Sequence, residues 1–288
     1  MKRIVGIGLI VISAASFGTL PIIGRFAYAD GMDVTTMLFL RFTIASLLML
    51  AWMAIRKEPL PRGRTLLQLA GMGGLGYVGQ SFCFMSAIQY ASTGLVALLL
   101  YLYPVFVSIL SVIFLKAWLT PKKVLALGLA TAGAALTANP QGGQLPGILL
   151  AISAAAIYAV YIIVGTGVMQ KATAVQSSTI IFASAALVFG GLTAARGPHW
   201  PATGGGWLAV AAIAVVATII PVATFLAGLK IIGPTDASLL STLEPVVTVA
   251  LAALILSESV QPVMLLGGGL ILAAVLLTVN HKQKSMPG

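Results

Sequence analysis

The chain has 288 residues, of which 59% are hydrophobic and 8% charged, with a mean hydropathy of +1.07 and a formal net charge of +10. So few polar side chains cannot clothe a soluble globule, which excludes a water-soluble enzyme and places the chain in lipid. One cysteine, Cys83, and two distant histidines, His199 and His281, exclude an intramolecular disulfide, a cysteine metal cluster and a histidine metal pair or Ser-His-Asp triad within the membrane, and no cofactor or metal is expected.

A helix needs about 20 apolar residues to cross the hydrocarbon core. Ten stretches qualify in chain order: 4–27, 34–56, 65–89, 93–115, 122–139, 146–168, 175–195, 206–229, 235–256 and 262–280. They are long and continuously apolar, unlike the short alternating segments of a barrel, so the fold class is all-α integral membrane protein. Lys2 and Arg3 before the first run resemble a signal peptide, but no small-residue cleavage pattern closes it and nine further runs follow, so it reads as a span. Numbering the links alternately puts Lys2, Arg3, Arg56, Lys57, Arg62, Arg64, Lys116, Lys122, Lys123, Lys171, Lys230, Lys282 and Lys284 on one side, against only Arg25 and Arg196 on the other. That asymmetry predicts both termini in the cytoplasm and explains the basic pI without a nucleic-acid partner. The expected partners are a small-molecule substrate and membrane lipid, with the chain a monomer or weak homodimer.

Residues 85–139 recur without gaps, shifted by 141, as 226–280. Leu98, Leu99 and Leu102 meet Leu239, Leu240 and Leu243; Pro104 meets Pro245, Pro121 meets Pro262, and Gly128 meets Gly269. A weaker echo at a shift of 140 relates Ser13 to Ser16 in span one with Ser153 to Ala156 in span six. The chain therefore divides into a first repeat, 1–140, and a second, 146–281. Five spans per repeat is an odd number, so the second repeat is inverted relative to the first, an arrangement associated with alternating access.

A solute path in such a protein lies near the midplane, where polar and aromatic stripes at helical spacing mark it. Span three carries Tyr77, Gln80 and Phe84, which the shift maps onto Thr218, Pro221 and Phe225 of span eight. Span four carries Tyr101, Pro104, Ser108 and Ser111; span nine carries Ser238, Ser241, Thr242, Pro245 and Thr248. Span six offers Tyr158 and Tyr161, and span one Ser13, Ser16 and Thr19. The predicted substrate contacts are Ser16, Tyr77, Gln80, Phe84, Tyr101, Tyr158, Tyr161, Thr218, Phe225, Ser238, Ser241 and Thr242, rings walling the solute and polar groups bonding it. The competing reading is local: membrane hydroxyls bond their own helix or stitch helices together, and a buried tyrosine packs.

Pro104 and Pro245 are kinks or hinges at equivalent places. Arg41 and Glu244 are intramembrane charges that need a partner, Glu244 being a candidate for proton coupling or for holding an ammonium group. Asp236 and Lys230 flank a basic-side link as capping or gate charges, and Glu258 opens span ten, where a helix N-terminus favours a carboxylate. Small residues along Ala126, Ala130, Ala134 and Ala138, and along Gly79, Cys83, Ala87 and Ala91, permit close helix contact, with spans five and ten as scaffold or dimer surface.

Residues 87–97 followed by Tyr103 and Pro104, and residues 233–245 followed by Glu258 and 267–272, resemble the two EamA repeats of the drug/metabolite transporter superfamily. Leu40, Arg41 and Phe42 fit the same pattern, and within the superfamily the chain is most similar to bacterial amino-acid exporters of the YddG type. Lys116, Ala117 and Trp118 replace the glutamate that usually ends span four, and Phe17 precedes Gly18 where tryptophan is usual. The resemblance implies a ten-helix carrier of the bacterial inner membrane with a cavity formed by spans one, three, four, six, eight and nine. The expected activity is export of small neutral metabolites, foremost amino acids including aromatic ones; efflux of purines, nucleosides or cationic drugs, and a non-transporting scaffold or sensor, are the alternatives.

Overall fold

The computed structural model describes residues 2–87, 90–91, 96, 99–137, 144–257 and 260–279. Most of the 87–97 motif, Glu258, Ala138 and the tail with His281, Lys282 and Lys284 lie outside the described residues. Among those described, all regular elements are helices: α1 (Lys2–Gly18), α2 (Leu20–Ala29), α3 (Val34–Ile55), α4 (Gly63–Gly71), π1 (Met72–Tyr77), α5 (Val78–Ala87), α6 (Tyr103–Leu115), α7 (Pro121–Thr137), α8 (Leu145–Val168), α9 (Ala174–Arg196), α10 (Gly204–Ala214), π2 (Val215–Ile219), α11 (Ile220–Ile232), α12 (Pro234–Ser241), α13 (Glu244–Leu256) and α14 (Pro262–Val279). Hydrocarbon offers the backbone no partner, so an apolar segment satisfies its own N–H and C=O groups by coiling. Seven helical runs are long and apolar enough to cross a membrane: Lys2–Ala29, Val34–Ile55, Leu145–Val168, Ala174–Arg196, Gly204–Ile232, Pro234–Leu256 and Pro262–Val279. Helices over 63–87, in α6 and in α7 occupy the places predicted for spans three to five. The protein is an all-helical, multi-pass membrane protein.

Prolines set where the helices break. A proline ring clashes with the carbonyl four residues earlier, and α12 ends at Ser241, four residues before Pro245. Two turn residues follow before α13 starts at Glu244, and the same pair of turns, Tyr101 and Leu102, precedes α6. Span one breaks at Thr19, two residues before Pro21, and its Oγ1 donates to the Ser16 carbonyl at 2.7 Å. Pro221 produces a different defect, the π turn Val215–Ile219. It leaves the Ala217 carbonyl without its helical donor, and the Arg41 guanidinium fills the vacancy at 3.1 Å. The π turn Met72–Tyr77 lies at the matching place one shift earlier. Left-handed C-caps also recur at that spacing, Lys116 ending α6 and Ser257 ending α13.

The helices pack in pairs, α1 with α11, α5 with α8, α3 with α9, α6 with α12 and α7 with α14. The small-residue stripe of α7 is used inside the chain. Ala126, Ala130 and Ala134 are buried, the first two against Leu239 and Ala274, and a Cβ at Gly133 would lie 2.6 Å from the Gly267 carbonyl oxygen. Such close approach of two backbones is what a Gly/Ala face permits.

Each end of the bundle is tied by side chains. At the lysine-rich end, Asp236 is buried between Lys123, at 2.6 Å, and Arg3, at 3.4 Å. Arg3 also donates to the Val279 and Thr278 carbonyls at 2.8 Å each, so α1, α7, α12 and α14 meet there, while Lys230 stays exposed. At the opposite end, Asp30 accepts from the Thr203 hydroxyl at 2.6 Å and its backbone N–H at 3.1 Å. Those bonds hold the Asp30 carboxyl below its ordinary pKa. Asp33 caps α3 by accepting from the Thr35 and Thr36 backbones, and His199 Nδ1 lies 3.6 Å from it. Partial burial pushes the Asp33 carboxyl up, but the bonds from Thr35 and Thr36 outweigh it and the net shift is downward.

Candidate functional site

A continuous path of rings crosses the interior. Phe189 stacks on Phe42 with centroids 5.8 Å apart; Phe42 meets Tyr77 edge-on at 5.3 Å, and Tyr77 meets Tyr161 at 5.9 Å. Tyr161 stacks with Tyr158 at 6.0 Å, and Tyr158 meets Tyr103 at 4.8 Å. Edge-to-face geometry at these distances is attractive beyond area burial. Spans two, three, four, six and seven contribute, so the tyrosines chosen from spacing on spans three and six are brought together. Tyr103 and Phe42 were not in that set. The signal for Tyr103 was present, since the shift of 141 maps it onto Glu244.

Arg41 is buried beside Tyr77, midway along this path. Its Nε donates to Thr218 Oγ1 at 2.5 Å, and its Nη2 reaches the Ala217 carbonyl at 3.1 Å and the Tyr77 hydroxyl at 3.4 Å. Thr218 in turn donates to the Ile213 carbonyl at 2.8 Å. Arg41 thus bridges Tyr77 and Thr218, the two residues that the shift makes equivalent, and holds both π turns.

Glu244 stands at a separate helix crossing. It begins α13, where the broken span nine crosses the broken span one. Gly18 makes the crossing possible, because a Cβ there would sit 2.9 Å from the Val247 side chain and 3.0 Å from the Glu244 carbonyl oxygen. Thr248 stitches it by donating to the carbonyls of Gly18 and Glu244 at 3.1 Å each. The Glu244 side chain is half-buried and acts electrostatically on Tyr77, Tyr101, Tyr103 and Tyr158. No hydrogen bond or ion pair engages its carboxylate among the described residues.

The hydroxyls of span nine point their protons into their own helix. Ser238 donates to Thr235 at 3.0 Å, Ser241 to Ala237 at 2.9 Å and Thr242 to Leu239 at 2.6 Å, leaving oxygen lone pairs as what they offer. All three are buried. Tyr103 donates to the Ser238 carbonyl at 3.4 Å, and Tyr161 has no hydroxyl partner among the described residues. Tyr101 and Tyr158 are half-buried, as are Ser16 and Gln80. Phe225 packs in the main core, whereas Phe84 joins a separate cluster with Ala87, Ala91, Val96 and Ala151. Pro104 and Pro245 are buried beside the breaks they cause.

A cleft of ≈ 430 Å³ lies apart from Glu244, at the end opposite the lysines, between α3, α5, α8 and α9. Thr35, Ser81, Ser86, Tyr90 and Arg196 line it, and Phe189 at its wall begins the ring path to Tyr77.

The EamA-like transporter family model matches residues 4–139 and again 145–280. An uncharacterized transporter of Archaeoglobus fulgidus is 30% identical over 276 residues, covering 94% of this chain and 95% of that one. The uncharacterized inner membrane transporter YedA of Escherichia coli K12 is 28% identical over 252 residues, covering 84% and 80%. A crystal structure superposes with a TM-score of 0.82 over 96% of each chain at 22% identity, a likeness of fold. With two tandem matches spanning nearly the whole sequence, the chain belongs to the EamA-like transporter family and is a membrane transporter of that type.

Proposed function

We propose that the protein exports small net-neutral metabolites, foremost amino acids including aromatic ones, by alternating access between two inverted five-helix repeats in the cytoplasmic membrane, with both termini in the cytoplasm. Reciprocal packing supports the inverted pairing of ten spans. The contact of span one with eight is matched by three with six, that of four with six by nine with one, while spans two and seven, four and nine, and five and ten pair with their own images. Inverted repeats of this kind rock against each other around a site at their interface.

The observation that carries the reading is the half-buried surface of Tyr101, Tyr158 and Glu244 where spans four, six and nine of the two repeats meet. Fixed positive charge is nearly absent there, since Arg41 is buried and bonded to Thr218, Ala217 and Tyr77. A phosphate-bearing solute would need free Lys or Arg side chains, whereas an amino acid needs ring faces and a few polar atoms.

Counterflow in proteoliposomes of the purified protein, with labelled phenylalanine or tryptophan and a competitor panel of amino acids, nucleosides and organic cations, tests this. The expected result is saturable flux competed by neutral amino acids and reduced about tenfold or more by Tyr101→Ala. Flux competed only by nucleosides or cations would replace the substrate, and no flux of any panel member through folded protein would overturn the carrier.

A further inference from the structure

The crossing of spans one and nine collects oxygen acceptors from both helices. Both helices break at the crossing, where α1 and α12 end and α2 and α13 begin, so the half-helix dipoles meet in opposed pairs. The side chains supply the bias toward acceptors. Thr19, Ser241, Thr242 and Thr248 all donate to backbone carbonyls and keep only lone pairs. Glu244 adds a carboxyl group with no hydrogen bond or ion pair among the described residues. Arg41 does not neutralise it, being turned to Thr218, Ala217 and Tyr77. Three tyrosines complete the surroundings: Tyr103 and Tyr158 in edge contact at 4.8 Å, and Tyr101 beside the break that precedes α6. A carboxylate among electron-rich ring faces is the standard environment for an organic ammonium group.

We propose that this crossing is the receptor for a positively charged nitrogen, with Glu244 as its counter-charge, and that an amine head is therefore the recognised feature of the solute. The assignment rests on the carrier reading and narrows its substrate class. Amino acids and amines of similar size fit the site; carboxylates lacking an amine, sugar phosphates and other anions do not. The amine shares its charge chemistry with a free alkali ion, and the test separates the two.

The probes are three molecules with one ring and different heads: phenylalanine, phenethylamine without the carboxylate, and 3-phenylpropionate without the amine. Binding to the purified full-length protein is measured by calorimetry in a low-salt potassium phosphate buffer free of sodium and of organic amines, and again with sodium. Phenethylamine and phenylalanine are expected to bind in both buffers and 3-phenylpropionate in neither. Glu244→Gln should weaken amine binding by about tenfold or more, while Glu244→Asp retains part of it. Binding of 3-phenylpropionate in preference to phenethylamine would overturn the proposal on the wild-type protein, whatever the variants do. So would amine binding unchanged in Glu244→Gln, or Glu244-dependent sodium binding that amines do not displace, which would assign the site to a free ion. Counterflow without amine selectivity would sink this inference and leave the carrier intact; amine binding without flux would do the reverse.

Discussion

Arg41 illustrates how a residue that reads as a functional charge acquires a structural role through its neighbours. Pro221 deprives the Ala217 carbonyl of its helical donor, and the guanidinium supplies the missing bond along with one to Thr218. Removing it leaves buried acceptors unpaired, so Arg41→Gln should lower stability by about 2 kcal/mol or more, read as an earlier thermal transition in detergent. An unchanged transition would show that the π turn does not depend on this bond. Asp33 gives a pH prediction. Its carboxyl is held below the ordinary value, so the ionised form is favoured by folding. Its contribution is complete above the unfolded pKa of about 3.9 and is lost as the pH falls through the lowered native value. Asp33→Ala should cost about 1 kcal/mol near neutral pH and nothing below that window; an equal cost at both would rule out the charged cap.

At the scale of elements, glycines in one helix predict opposite outcomes. Gly133 of α7 has no room for a Cβ against the Gly267 carbonyl, whereas a Cβ at Gly128 meets nothing within 4 Å. Gly133→Ala should therefore destabilise the α7–α14 seam by about 1–3 kcal/mol, and Gly128→Ala should be neutral or stabilise by up to about 1 kcal/mol through helix propensity. Thermal unfolding of the two single variants reads the difference, and equal effects would contradict the seam. The elements themselves were largely legible, because apolar length alone dictates where a chain coils in lipid; apart from the start of span four, which lies outside the described residues, predicted span limits fall within a few residues of the described helices. Breaks were less so. The prolines marked bends, but that α12 stops outright at Ser241 and span eight takes a π turn depends on which neighbour accepts the freed carbonyl. Within the candidate site, spacing found Tyr77, Tyr158 and Tyr161. It could not show that the hydroxyls of Ser238, Ser241 and Thr242 turn inward, because their rotamers are chosen by local backbone acceptors.

For the whole molecule, alternating access requires that the two ends close in turn. The Arg3–Asp236–Lys123 cluster ties four helices at the lysine-rich end, while a cleft stands open at the other. Thr278 lines the tied end beside Asp236, and Ser86 lines the cleft. The decisive measurement is labelling of Thr278→Cys and Ser86→Cys, each in a Cys83→Ala background, by a polar maleimide, with and without the latch-weakening change Arg3→Gln. Alternating access predicts reciprocal shifts: faster labelling at Thr278→Cys and slower labelling at Ser86→Cys when the latch is weakened. Rates that stay fixed, or that rise together at both positions, would contradict it.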